Sequence, residues 1–338
     1  PRVNIRATLL FSLLLAATLV LSVAARADGG GEDKRKGRAL RTAQETLPSA
    51  ADVTISICVE AGDVTVRGWD RQEVRASASE TDKIELRRVG GEVLGTNETA
   101  AATSPQPARN IEVLAFREGE PPSPKCNSAG SMELDVPRGS TVLIKVPGGD
   151  LSVSGVAIVR AETLSGEIEL SGITKSSEAT SGDGGIRVSD VKGRVVLRSI
   201  SGEIEADGVA ANDAGDLLSV KTAGGEVTLA DVRHSQVSVQ TTDGHITFDG
   251  PLTRGGSYVF KTHAGNVTLV LPPDASFQLS AKVYQHGEIE TDFPIRQLPG
   301  SGLSLWKDGR LAGLHGAAEG AATLNLASFN GMIELRKK

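Results

Sequence analysis

The sequence predicts an all-β protein whose main body is a β-solenoid, a stack of coils of roughly 20 residues preceded by a smaller β region. Three observations carry that prediction. Period-2 alternation begins at Asp52, where Val53, Ile55, Ile57 and Val59 alternate with Thr54, Ser56 and Cys58, the spacing of a strand with one buried face. One unit then recurs, as Thr163-Leu-Ser-Gly-Glu-Ile-Glu-Leu-Ser-Gly172, Arg198-Ser-Ile-Ser-Gly-Glu-Ile-Glu-Ala-Asp-Gly208, Lys221-Thr-Ala-Gly-Gly-Glu-Val-Thr-Leu229, Gln240-Thr-Thr-Asp-Gly-His-Ile-Thr-Phe248 and Lys261-Thr-His-Ala-Gly-Asn-Val-Thr-Leu269. Its glycine returns at Gly149, Gly166, Gly184, Gly202, Gly225, Gly244, Gly265, Gly287 and Gly331, at intervals of 17 to 23 residues until a last one of 44, twice 22. An antiparallel β-sandwich is the alternative architecture.

In chain order, Arg2 and Arg6 precede an apolar run from Ala7 to Val23, and Ala25-Arg-Ala27 offers small residues at a cleavage site. Residues 1–27 therefore read as a secretory signal peptide. Residues 28–51, Gly-rich and then basic without an apolar period, read as a disordered charged leader. Residues 52–147 form the N-terminal β region, with loops at 90–110 and 118–130 where Pro and small polar residues replace alternation. Gly62-Asp-Val-Thr-Val-Arg-Gly-Trp69 within it resembles an outlying copy of the repeated turn.

The repeats proper occupy residues 148–293. Each coil reads as two short strands and two corners, with apolar positions such as Ile168 and Leu170 after the glycine and Val195 and Leu197 before the next one. The glycine suits a tight corner that needs φ > 0, and the Ser, Thr or Asp before it can hydrogen-bond the turn backbone. Gly172, Asp190, Gly208 and Asp231 mark the second corner. Four inward aliphatics per coil are too few to offset the backbone entropy of one coil alone, so stability must come from stacking. The pattern lapses over 294–320, read as an excursion or hairpin, and residues 321–338 read as one final coil that closes the array.

The chain carries a formal net charge of −6. Without residues 1–27 it keeps 33 basic and 42 acidic side chains, a net −9. That balance argues against nucleic acid, whose phosphates require a basic footprint. The few aromatics do not cluster in the sequence, so no stacking platform is visible there. No membrane span is expected once the signal peptide is gone. Cys58 and Cys126 are the only cysteines, and in an oxidising compartment they most simply form one disulfide, with two buried thiols as the alternative.

Several of these features match a known group: Gly62-Asp-Val-Thr-Val-Arg-Gly-Trp-Asp70, the Ser/Thr-x-x-Gly-Glu-Ile-x-Leu copies, the Leu271-Pro-Pro-Asp-Ala-Ser276 break and the late Leu324-Asn-Leu-Ala-Ser-Phe-Asn-Gly-Met-Ile-Glu-Leu335 coil. Over residues 52–336 the chain resembles the bacterial β-strand-repeat domain of unknown function whose members are labelled adhesins. The resemblance implies a β-solenoid-like fold in the cell envelope and brings no catalytic residues with it.

The corners offer residues for three chemistries. His245, His263 and His286 lie within two residues of the repeat glycine on successive coils and could converge on Zn²⁺, with Glu288 as a fourth ligand. The carboxylates of the column after the repeat glycine, Asp150, Glu167, Glu203, Glu226 and Glu288, with Asp183 and Asp243 nearby, could hold Ca²⁺, but the Gly-Gly-x-Gly-x-Asp repeat of calcium-binding coils is absent. Asp190, Asp207, Asp231 and Asp249 recur at the second corner as carboxylate pairs of a polysaccharide-active enzyme would, although Asp is also a common turn former. Solvated turn residues account for each pattern as well. The expectation is therefore an exported, non-catalytic scaffold or adhesin-like binding module without cofactor or metal, periplasmic or at the cell surface. It would engage an envelope polymer or protein through flat strand faces. A polysaccharide-active enzyme and an envelope-stress regulatory domain are the alternatives.

Overall fold

Alternating side chains fix where the strands lie, and the repeat glycines fix how they stack. The computed structural model describes residues 43–78, 82–89, 106–117, 130–285, 287–297, 306–307 and 309–338. They belong to a unit running from Arg41 to Lys338 and form an all-β, mostly parallel structure of 26 strands. No helix among them is long and apolar enough to cross a membrane. The expected signal peptide, residues 28–42 of the expected leader, residues 90–105 and 118–129 of the two loops, and residues 298–305 and 308 of the excursion lie outside the described residues.

Each turn of the chain supplies one strand to each of two parallel ladders. A longer strand such as Ile158–Ser165 runs into the glycine corner, and a four-residue strand, Ile168–Ser171, follows. The chain then turns again and returns as Ser176–Asp183 beside Ile158–Ser165, in the register Val159↔Ser177 and Ala161↔Ala179. In the short ladder Ile168 pairs with Ile186 and Leu170 with Val188. Inward residues of both ladders meet in one continuous core, with Ile168, Leu170, Ala179, Leu197, Val220 and Val239 all fully buried. Parallel pairing throughout the repeats replaces the antiparallel-sandwich alternative.

The N-terminal β region continues the same ladders. Strand Val64–Trp69 pairs in parallel with Leu151–Ser154, and Gly62 stands on the glycine column beside Gly149. The first strand, Ala43–Cys58, starts nine residues before the expected leader boundary. Its opening half, Ala43 to Pro48, pairs antiparallel with Glu73–Ala78, and its closing half lies in the long ladder between Ala108–Arg117 and Thr141–Gly148. The alternation before Asp52 was hidden by Pro48 and by the run of small residues from Ser49 to Ala51.

Chain order departs from stacking order at both ends. Residues 321–338 do not close the array: strand Ala322–Asn330 lies between Ser257–Ala264 and Phe277–Gln285, and Ile333–Lys337 lies between Val267–Leu271 and Ile289–Thr291. The coil of residues 277–291 is outermost instead, and the excursion folds its strand Arg310–His315 antiparallel onto Phe277–Gln285. The other end is built alike. Residues 43–69 form the second coil, Ala108–Arg117 and Met132–Pro137 form the outer one, and antiparallel strands Asp82–Arg88 and Glu73–Ala78 lie beyond it. Capping a parallel stack with antiparallel strands that carry Lys83, Glu85, Arg87 and Arg310 blunts the exposed edges.

The two corners differ in kind. At the first, a Cβ added to any repeat glycine would fall inside contact distance of the neighbouring coil's glycine carbonyl oxygen. The chain of contacts runs Gly130, Gly62, Gly149, Gly166, Gly184, Gly202, Gly225, Gly244, Gly265, Gly331 and Gly287, which is the stacking order itself. Gly166 (φ 132°) and Gly265 (φ 143°) are left-handed, but Gly184, Gly202, Gly244 and Gly287 are not, so close approach rather than φ unites the column. Three residues before Gly166, Gly184, Gly202, Gly225, Gly244, Gly265 and Gly331 stands a buried Ser or Thr. Buried Thr222 donates to Gly224 O at 2.9 Å, Thr262 to Gly244 O at 3.0 Å and Ser328 to Gly265 O at 3.0 Å, while Ser199 accepts from Gly202 N–H at 2.9 Å. At the second corner Gly155, Gly172, Asp190, Gly208 and Asp231 all adopt φ between 44° and 67°.

Candidate binding face

Outward side chains of the long ladder form columns along the stack, because parallel registry places equivalent positions side by side. One column reads Lys145, Glu162, Thr180, Arg198, Lys221, Gln240, Lys261, Ala327 and Lys282. Its first part is neutralised: Lys145 pairs with Glu162 at 3.2 Å, and Arg160 and Arg198 share Glu178 at 2.6 and 2.9 Å. The two arginines hold the Glu178 carboxyl below its ordinary value, outweighing the opposing effect of burial, which is the largest single contribution.

The remainder of the face is different. Across the six strands Arg194–Ser199, Leu217–Gly224, Gln236–Asp243, Ser257–Ala264, Ala322–Asn330 and Phe277–Gln285 the single carboxylate is Asp243, at the corner. The same strands carry Arg194, Arg198, Lys221, Lys261 and Lys282, and exposed Lys221 and Lys261 have no salt-bridge partner among the described residues. A protein of net negative charge thus presents one cationic, otherwise Ser-, Thr-, Gln- and Asn-rich surface.

Beside this column runs a second, nearer the glycine corner. It begins with exposed Leu164 (69 %) and Ile200 (63 %) on either side of Gly182, which line a shallow cleft of about 430 Å³ with Ala223 and the stems of Arg198 and Lys221. It ends in an aromatic stack. The His263 ring lies 4.6 Å from Phe329 at an interplanar angle of 10°, Tyr284 lies 5.9 Å from Phe329 at 24°, and Lys282 Nζ sits 4.0 Å over the Tyr284 ring. Tyr284 is 54 % exposed. The sequence conceals this platform because its members come from three strands whose spatial neighbours are not neighbours in the chain. Phe248, Tyr258 and Phe260 make a second aromatic group, inside the core, with centroids 5.4 to 6.0 Å apart.

The short ladder shows the opposite character. Arg187 binds both Glu167 and Glu205, Arg336 binds Glu290 at 2.8 Å and Glu334 at 3.3 Å, and Arg75 meets Asp135 at 2.9 Å. A second cleft of about 430 Å³ here is lined by Glu167, Asp183, Glu203 and Glu205 with Arg187, and no aromatic side chain reaches it.

His245 Nδ1 accepts the Asn266 backbone N–H at 3.0 Å, while His263 occupies the aromatic stack, so the two serve different columns; His286 lies outside the described residues. Two members of the acidic column are engaged: Asp150 accepts from Glu167 N–H at 2.8 Å and Glu167 pairs with Arg187, while neighbouring corner residues do likewise, Asp63 accepting from Asp150 N–H at 3.1 Å and Asn266 from Met332 N–H at 2.9 Å. Among the described residues no group of three or more His, Cys, Asp or Glu is disposed to hold a metal ion. Asp231 pairs with Arg233 at 3.1 Å and Asp249 with Lys338 at 2.9 Å. Cys58 is disulfide-bonded, and Cys126, the only other cysteine, lies outside the described residues.

One buried titratable group escaped the sequence reading. His234, with 0 % exposure, donates Nε2–H to Gly193 O at 2.8 Å, and burial lowers its pKa below the ordinary 6.5. Only the apolar period around it, Val232 and Val237, could have hinted that it points inward.

The family model described as Toastrack DUF4097 matches residues 53–299. The chain belongs to the Toastrack DUF4097 family. The match starts within the first strand and stops before the C-terminal coil that this toastrack protein inserts into its stack. Two solved structures are similar to it at low identity. One is a proposed cell adhesion protein from Clostridium sporogenes, 10% identical, covering 88% of this chain and 100% of that one with a TM-score of 0.22. The other is a proposed adhesin from Bacteroides fragilis, 9% identical, covering 87% and 97% with a TM-score of 0.40. No curated protein matches the toastrack sequence.

Proposed function

We propose that this toastrack protein is an exported β-solenoid acting as a non-catalytic, adhesin-like binding module or scaffold of the cell envelope, periplasmic or at the cell surface. The observation that carries the reading is the outer face of the long ladder from Leu217–Gly224 to Phe277–Gln285, where Asp243 is the single carboxylate and exposed Lys221 and Lys261 have no salt-bridge partner among the described residues. Flat parallel strands offer polar groups at a regular spacing to an extended partner and enclose no pocket of the kind that small substrates need. The acidic cleft on the short ladder gives the enzyme alternative little support, because Arg187 engages two of its four carboxylates and no aromatic subsite accompanies them.

The test is a pull-down from envelope extract with residues 43–338, run beside a glycan array. Retention of a defined polymer or protein, lost when Gln240 and Thr242 are both changed to Glu, supports the module. Release of soluble polymer fragments during incubation overturns it in favour of the enzyme, and retention of nothing overturns the binding reading altogether.

A further inference from the structure

We infer that the outer face of the long ladder is a track for an anionic polysaccharide lying along the stack axis; this rests on the binding-module reading and names its ligand class. Adjacent strands are spaced about 4.8 Å, so Lys221 and Lys261, two strands apart, and Lys261 and Lys282, again two strands apart, present cations about 9.5 Å from one another. That interval is close to the length of a disaccharide unit. A glycan with one carboxylate or sulfate on every second sugar would meet a cation at each repeat, with Gln240 between two of them as a hydroxyl partner. Nucleic acid fits less well, since one strand of duplex carries a charge about every 3.4 Å.

The neighbouring column supplies the second half of sugar recognition. Leu164, Ile200, His263, Phe329 and Tyr284 run parallel to the cations, offering apolar and aromatic surface to the C–H faces of pyranose rings. Charge complementarity favours this occupant over the others: among the described residues the cations Arg187 and Arg336 of the short ladder are held in ion pairs, whereas Lys221 and Lys261 on this face are not, so an anionic chain is drawn here.

Binding of residues 43–338 to hyaluronan oligosaccharides, one carboxylate per disaccharide, is measured by calorimetry at two salt concentrations. Polygalacturonate, dextran, duplex DNA and anionic phospholipid vesicles are the comparisons. Hyaluronan should bind in a salt-sensitive manner, dextran should not, and Lys221→Glu with Lys261→Glu should weaken binding at least tenfold while Lys221→Arg with Lys261→Arg retains it. Lys192→Glu, an exposed change off this face, should leave it unaltered. Tyr284→Ala should weaken binding without changing its salt dependence, a result that charge attraction alone would not give. Tighter binding to DNA or vesicles, equal binding to dextran, binding to neither acidic glycan, or indifference to the charge reversals each overturns the inference. If the envelope pull-down still retains a partner in those cases, the module reading stands and only the ligand class is wrong.

Discussion

The two corners of each coil answer different constraints, and the difference separates what stacking demands from what turning demands. At the first corner the backbones of successive coils approach so closely that no Cβ fits, whatever the local φ, and the column is glycine in every coil from Gly130 to Gly287. At the second the demand is only for a left-handed residue, and Asp190 and Asp231 satisfy it alongside Gly155, Gly172 and Gly208. A steric rule set by a neighbour is stricter than one set by the chain's own torsion.

The sharpest way to break this contrast is Gly184→Ala. Its φ is not left-handed, so a torsional account predicts little change, whereas the added methyl would meet Gly166 O and should cost about 3 kcal/mol, because backbone on both sides cannot move away. Gly215→Ala is the control, since nothing lies within 4 Å of the position a Cβ would take there. Urea unfolding midpoints should drop for the first and hold or rise for the second; equal midpoints would refute close approach as the rule.

A smaller loss is expected at the hydroxyls that line the same corner. Ser199 is buried and accepts the Gly202 N–H, so Ser199→Ala leaves that N–H without a partner at a cost of roughly 1–2 kcal/mol. An unchanged midpoint would mean that water reaches the corner and that the buried Ser and Thr column is incidental.

The second corner carries a tie made by a buried titratable side chain. Gly193, Ala210 and His234 follow the corner residues of three successive coils, and the His234 ring reaches past the middle coil to Gly193 O. Burial depresses the folded pKa below 6.5, so the unfolded chain binds the proton more readily. Stability should therefore be level above about pH 6.5 and fall as the pH is lowered beneath it, by at most about 1.4 kcal/mol per unit for this one group. Melting curves of the parent and of His234→Gln, which keeps a donor for Gly193 O, measure it; parallel pH profiles would remove His234 from the account.

Much of the fold could be read from the sequence because every coil repeats the same demands. The glycine period, the inward Ile168 and Leu170 positions and the left-handed Asp190 and Asp231 are each local consequences of local spacing. The order of coils at the ends could not. A 44-residue interval reads as two coils in succession, and nothing local says that Ser257–Ala264 will pair with Ala322–Asn330 and leave Phe277–Gln285 outermost. The proposed binding face was hidden in part for the same reason. Lys221 and Lys261 align through coils that follow one another in the chain, but Lys282 takes its place two strands beyond Lys261, and His263, Phe329 and Tyr284 become a stack, only once that exchange is known.

The least disruptive change expected is Asp190→Gly, and its smallness is what makes it informative. Glycine relieves the left-handed torsion at φ 53°, but it also widens the conformational freedom of the unfolded chain, and the two effects nearly cancel, leaving stability within about 0.5 kcal/mol of the parent. Asp190→Val at the same site keeps the torsion and adds a β-branch that the left-handed region resists, for a loss of about 1–2 kcal/mol. Asp231→Gly should resemble Asp190→Gly, because the pair it gives up with Arg233 is exposed and contributes little. If Asp190→Gly proved as damaging as Gly184→Ala, the second corner would also be held by its neighbours, and the distinction between a stacking corner and a turning corner would fail.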